Sequence, residues 1–115
     1  MNDITTFFEK LRTAPEYILF SEVIALIDAH YDHTPTEFVN GAITNQASEN
    51  QGSAKVFSFA QLHNLNETET LNCFAEHFRA VKADPTGTAH QNIRQFMTNG
   101  WAGIQLPGVC LTARS

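Results

Sequence analysis

The sequence predicts a mainly α-helical domain: a compact bundle of about five helices, with a long irregular loop after the second helix and an extended C-terminal tail. Three observations predict it. Apolar residues recur at helical spacing through most of the chain. Runs containing Gly, Pro and Asn separate those stretches. Nine Phe, one Trp and two Tyr in 115 residues supply enough bulky material for a single domain, residues 1–115, with a core that needs no disulfide or metal staple.

The first helix is read from Ile4, Phe7, Phe8 and Leu11, which fall at i, i+3, i+4 and i+7, and it ends before Pro15. Phe20, Val23, Ile24, Ile27 and Tyr31 make the stripe of a second helix, with Ser21 as its N-cap. From Tyr31 to Gly41 and on through Ser48 to Lys55 the helical pattern is lost, and Asp, His, Glu, Asn and Gly accumulate. A small domain rarely carries so long an irregular connection without a functional or dynamic reason. In the third element, about Ser53 to Leu65, Val56, Phe57, Phe59, Ala60 and Leu62 are apolar on nearly every side, so this segment is central and buried. So short a run also suits a strand, but neighbouring helices would offer it no sheet partner, and a helix is preferred.

Asn66-Glu67-Thr68-Glu69 has the form of a capping box and opens the fourth helix. Leu71, Phe74, Ala75, Phe78 and Val81 face its core side, while Asn72, Glu76, Arg79 and Lys82 face water. Asp84-Pro85-Thr86-Gly87 stops it. The fifth helix opens at Thr88-Ala89-His90-Gln91, directs Ile93, Phe96 and Met97 inward, and closes at Asn99-Gly100. The tail carries Ile104, Leu106, Val109 and Leu111 around Pro107-Gly108 and packs back as an extended segment or short hairpin arm.

Charge and composition exclude several functions. With a net charge of -5 and scattered Lys and Arg, no basic stripe exists to displace counterions from nucleic acid. No apolar run approaches the ~18 residues of a membrane span. Met1-Asn2-Asp3-Ile4 lacks the basic and apolar regions of a secretory signal, so a cytoplasmic, monomeric protein is expected. Cys73 and Cys110 have no metal-ligand spacing and read as reduced thiols. No cofactor is implied.

Candidate chemistry centres on polar clusters. Asp28 with Asp32, and His30 with His33, would share a helix face, a spacing that can hold a metal. A solvated Asp pair and a His at a helix C-terminus account for them as well, and no metal site is assigned. His63 and His77 sit beside core stripes and read as structural; His90 reads as a surface group, with an acid/base role as the alternative. Ser53 is no nucleophile elbow, and phosphate-loop spacing is absent. Gly52-Ser53 at a helix start would still leave N–H groups able to hold an anion, with Lys55 nearby. The preferred reading is an ordinary helix capped by Ser53 or Ser48.

Several motifs carry a family resemblance. Tyr31-Asp32-x-Thr34-Pro35-Thr36-x-Phe38-x-Asn40-Gly41 is followed by Glu49-Asn50-x-Gly52-Ser53-x-Lys55-x-Phe57-x-Phe59-Ala60. Then come Leu62-His63-x-Leu65, Thr70-Leu71-x-x-Phe74, His77-Phe78-Arg79, and Pro85-x-Gly87-Thr88-x-His90-x-Asn92-Ile93-Arg94-x-Phe96-Met97, ending at Gly100-Trp101-x-Gly103-Ile104. In this order the motifs resemble the HopJ type III effector family over nearly the whole chain after about residue 20. The resemblance implies a bacterial protein of a family named for effectors injected into plant cells, and it implies no catalytic residues. This chain departs from the pattern at Ala54, where a Cys commonly follows the Ser, and at Ala47-Ser48, where Ala-Gly is usual. Its N-terminus reads as an amphipathic helix rather than a mobile secretion signal, so injection is not expected of it.

Two functions are therefore weighed. The preferred one is a non-enzymatic interaction module that engages an unknown protein through a polar surface of Asp32, His33, Glu37, Asn40, Glu49, Asn50, Ser53, Lys55, His90, Asn92 and Arg94. The alternative is a small-ligand- or metal-dependent activity with Asp32, Glu49 and His90 as acid, base or ligand groups. There Asn50 and Asn92 would orient substrate and Arg94 would hold an anion. A pocket gathering Asp32, Glu49 and His90 would favour the second.

Overall fold

One buried helix organises the molecule. The computed structural model describes residues 3–48, 50–106 and 110–113. In it α3 (Gln51–Leu62) buries Ala54, Val56, Phe57, Ser58, Phe59 and Ala60. Residues two apart on a helix point to nearly opposite sides, so Phe57 and Phe59 serve two different layers. Phe57 meets Phe38, Phe74, Phe96 and Trp101 at centroid distances of 6.1, 5.3, 5.1 and 6.3 Å. Phe59 meets Phe7, Phe8, Tyr31 and His63 at 6.2, 5.9, 6.0 and 4.7 Å. These are tilted and edge-to-face arrangements, which suit the ring quadrupole.

The first two helices fall where the stripes place them. They are α1 (Asp3–Thr13) and α2 (Phe20–His30), joined through a 3-10 turn at Pro15–Tyr17. Leu19, not Ser21, is the N-cap of α2, and the Glu22 carboxylate accepts its N–H at 3.1 Å. Leu62 is 54% exposed at the end of α3, against the expectation that it is buried.

The expected all-helical bundle is wrong in two respects. The structure is mixed α and β, with six α-helices and two small antiparallel sheets among the described residues. The loop after α2 is not irregular: it contains β1 (Tyr31–His33), β2 (Phe38–Asn40) and β3 (Ile43–Asn45). Strands β2 and β3 form a hairpin through Gly41 and Ala42, with Gly41 at φ 59 and its missing Cβ side closed by the Gln95 and Asn99 side chains. The tail returns as β4 (Ile104–Gln105), paired with β2, and β5 (Leu111–Ala113), paired with β1. Pro107, Gly108 and Val109 lie outside the described residues. Beyond the β2–β3 hairpin, the loop and the tail thus satisfy one another's backbone groups.

The second correction concerns the fourth helix, which is two. Here α4 (Glu67–Asn72) stops at a turn through Cys73, Phe74 and Ala75, and α5 (Glu76–Ala83) follows. Ala75 adopts φ 56 and ψ -124, which ends the helical path while keeping Phe74 in the core. The capping box of α4 is present as expected: Glu69 N–H donates to Asn66 Oδ1 at 2.7 Å, and Asn66 N–H donates to Glu69 Oε1 at 3.1 Å. The last helix, α6 (Gln91–Asn99), begins later than expected and ends at Gly100, φ 59. It buries Ile93 and Phe96, but Met97 is 47% exposed. No helix of the described residues is long and apolar enough to cross a membrane.

Candidate functional site

The polar residues singled out from sequence part into three groups. The first is buried and structural. Asn40, on β2, donates from Nδ2 to the main-chain oxygen of Asn92 at 2.7 Å and to Asn92 Oδ1 at 3.1 Å. Asn45, on β3, donates to Asn92 Oδ1 at 3.1 Å and accepts from Asn92 Nδ2 at 3.0 Å. Asn50 Nδ2 joins by donating to Asn45 Oδ1 at 2.7 Å. Asn40, Asn45 and Asn92 are all buried, so this network fastens the β2–β3 hairpin to the first turn of α6. Asn40 Oδ1 has no partner among the described residues.

The second group ties loops down at the surface. His33 and the Thr36 N–H both donate to Gln51 Oε1, at 3.1 and 3.0 Å, and Gln51 Nε2 donates back to the Thr36 oxygen at 3.2 Å. An amide oxygen only accepts, so His33 carries its proton on Nε2. Lys55 is committed to Asp28 at 2.8 Å rather than to an anion. Arg94 donates from Nε to the Ala89 oxygen at 2.6 Å, and from Nη1 to the Asp84 and Pro85 oxygens at 2.9 and 3.3 Å. It holds the α5–α6 connection. Asp32 sits in β1, opposite Thr112, and Glu37 is exposed before β2. Because α2 ends at His30, neither Asp28 with Asp32 nor His30 with His33 shares a helix face. Glu49 lies outside the described residues.

The third group forms a cleft. Helices α3 and α6 start beside each other, and a concavity of about 260 Å³ between them is lined by Asn50, Ser53, His90 and Asn92 with Ile43, His77, Gln91 and Ile93. Asn50 (φ 52, ψ 37) and His90 (φ 57, ψ 52) are the N-caps, both left-handed, and neither side chain caps its helix. The expected caps, Ser48 or Ser53 for α3 and Thr88 for α6, are therefore not used. Asn and His are among the few residue types that tolerate this conformation. A left-handed residue followed by a helical one turns successive N–H groups inward, as in anion-binding nests. The first-turn amides of Gly52, Ser53, Gln91 and Asn92 have no helical acceptor and find none among the described residues.

Histidines form one wall. The His77 and His90 rings lie 4.9 Å apart, and His77 also meets the edge of Phe20 at 4.8 Å. Burial, then the neighbouring charges of His77 and Arg94, hold the His90 pKa below the ordinary histidine value. Below them, the Glu76 carboxylate accepts the Phe20 N–H at 2.6 Å. Burial would raise its pKa, but that bond, its own amide and the charges of His77 and Arg79 bring it below the usual value. The cleft therefore offers amide donors and two titratable rings, chemistry suited to an anion. Among the described residues no group of three or more His, Cys, Asp or Glu is placed to hold a metal ion. The thiols take no part: Cys73 and Cys110 are buried, and burial, with the Glu69 charge, pushes Cys73 up to about 12.

Sequence reasoning missed Asn45 and Gln91 and took His77 as purely structural. An Asn or His, residue types that tolerate a left-handed backbone, just before an apolar helical stripe is the signal the sequence carries for the cleft.

A small α and β scaffold that brings two helix N-termini to one polar cleft is the class of protein these features define. The chain belongs to the HopJ type III effector protein family, whose model matches residues 4–111. It is also similar to the crystal structure of the unknown function protein VPA0580, with 43% sequence identity and a TM-score of 0.94 over 99% of this chain and 95% of that one. Among curated proteins, none matches this chain.

Proposed function

We propose that this chain is a non-enzymatic binding module that captures an anionic group, a carboxylate or phosphate borne by a partner protein, in the cleft between α3 and α6. The observation that carries the reading is the convergence of two helix starts, whose Ser53, Gln91 and Asn92 amides find no acceptor among the described residues, on a cavity walled by His77 and His90. Each helix start attracts negative charge, and the paired rings add positive charge when protonated. A catalytic reading has less support. Its acid–base set does not come together, since Asp32 belongs to the β1–β5 pair and not to the cleft.

The test is an amide-shift titration with sodium sulfate at constant ionic strength. The expected response is a saturable shift confined to Gly52, Ser53, Gln91, Asn92 and their neighbours. It should be lost in the double variant His77→Ala, His90→Asn, which keeps a residue tolerant of the left-handed cap. Absence of saturable shifts there, or shifts that survive in the variant, would count against the proposal.

A further inference from the structure

A second concavity, of about 360 Å³, lies farther along α5 and α6 and is built from different chemistry. Its apolar surface comes from Val81, Pro85 and Met97, and its cations are Lys82 and Arg94. Met97 is half exposed although it sits beside the buried stripe of α6, so the side chain covers no core of its own. Methionine is the apolar side chain that adapts most readily to a foreign surface.

The charges are the informative part. The chain as a whole is acidic, with a net charge of -5. Elsewhere three of its cations meet carboxylates, Lys10 with Glu22, Arg12 with Glu69, and Lys55 with Asp28, while Arg79 donates to the main-chain oxygens of Pro15 and Ile18. Among the described residues neither Lys82 nor Arg94 forms an ion pair. Lys82 Nζ rests 4.6 Å from the centroid of the Phe78 ring. Arg94 uses Nε and Nη1 on main-chain oxygens, and its Nη2 makes no hydrogen bond among the described residues. The Asp84 carboxylate lies over Gly87 beside Arg94 Nη2, near the guanidinium but not bonded to it, and this leaves Lys82 as the cation without an acid beside it.

We infer that this groove docks a short acidic–hydrophobic peptide segment of a partner protein. One bulky apolar side chain of the segment would lie on Val81, Pro85 and Met97, and a neighbouring carboxylate would lie on Lys82. The argument is charge complementarity over an apolar floor: a neutral apolar ligand would leave Lys82 uncompensated, and a basic one would be repelled by it. The inference is independent of the anion cleft, whose lining residues are different.

The probes are two amidated, acetylated tetrapeptides, Glu-Leu-Phe-Glu and its charge-inverted counterpart Lys-Leu-Phe-Lys. Amide shifts of Val81, Lys82, Met97 and Thr98 report binding. The acidic peptide is expected to give saturable shifts there and the basic one none, at concentrations up to about 5 mM. Lys82→Gln is expected to weaken binding about threefold and Lys82→Glu about tenfold or more, with melting temperatures retained. The sulfate response at Ser53 and Gln91 should be unchanged in both variants, which separates this groove from the cleft. Equal shifts from both peptides, no saturable shift from either, or full binding by Lys82→Glu would overturn the inference.

Discussion

The asparagine junction and the anion cleft are built from the same short segments, yet they do opposite things with polar groups. At the junction, Asn40, Asn45 and Asn92 are withdrawn from water and spend their amides on each other. At the cleft, Ser53, Gln91 and Asn92 line a cavity, and their N–H groups find no acceptor among the described residues. Asn92 belongs to both, its side chain to the junction and its main-chain amide to the cleft. The comparison teaches that a run of polar residues in sequence is not one surface. Buried, paired polar groups fix a geometry, and the unpaired groups beside them are what that geometry presents.

Perturbations of the two regions should separate accordingly, against the larger background of the core. Phe57→Ala removes the ring on which Phe38, Phe74, Phe96 and Trp101 converge, and a loss of ~3–5 kcal/mol is expected in urea unfolding. Asn92→Ala keeps the main-chain oxygen that Asn40 uses but strands the buried Asn45 amide, so ~1–3 kcal/mol should be lost. Arg94→Ala frees the exposed 84–89 connection; about 1 kcal/mol is expected, with faster amide exchange confined to that loop.

The smallest effect is a pH dependence at the cleft. The folded His90 pKa lies below its unfolded value, so the unfolded chain binds the proton more readily. Its neutral form favours folding fully above the unfolded value, and that contribution is lost as pH falls through the ordinary histidine range towards the depressed folded value. Anion binding should run the other way. Protonated His90, beside His77 and Arg94 and opposed by Glu76, favours sulfate, so sulfate affinity should rise as pH falls through that window. Saturating sulfate should in turn raise the His90 pKa measured from its ring protons. An affinity independent of pH would place the anion away from the histidines.

Much of the helical framework was legible because it depends on local pattern. The stripes of α1 and α2, the apolar α3, the capping box at Asn66 and the Asn99-Gly100 stop all appear where periodicity and turn chemistry place them. The sheets were not legible, because their strands are two or three residues long, too short to show alternation, and their partners are remote in sequence. Gly41 between Phe38-Val39 and Ile43-Thr44 is a hairpin signal, but a weak one inside a long polar run. The stripe from Leu71 to Val81 runs straight across the α4–α5 break, since Ala75 carries no mark of its left-handed backbone. Of the site, residue types were visible but not their burial. Asn40 and Asn92 have the composition of surface groups, and only the packing of β2 against α6 buries them.

The most direct test sets Asn92→Ala against His90→Asn in parallel urea unfolding experiments on the full chain. The account predicts a loss of ~1–3 kcal/mol for Asn92→Ala. It predicts a change within about 0.5 kcal/mol for His90→Asn, as at an exposed position free of structural bonds. Equal destabilisation by the two would contradict it, because the cleft would then be one more piece of the junction and not a surface left open for a ligand.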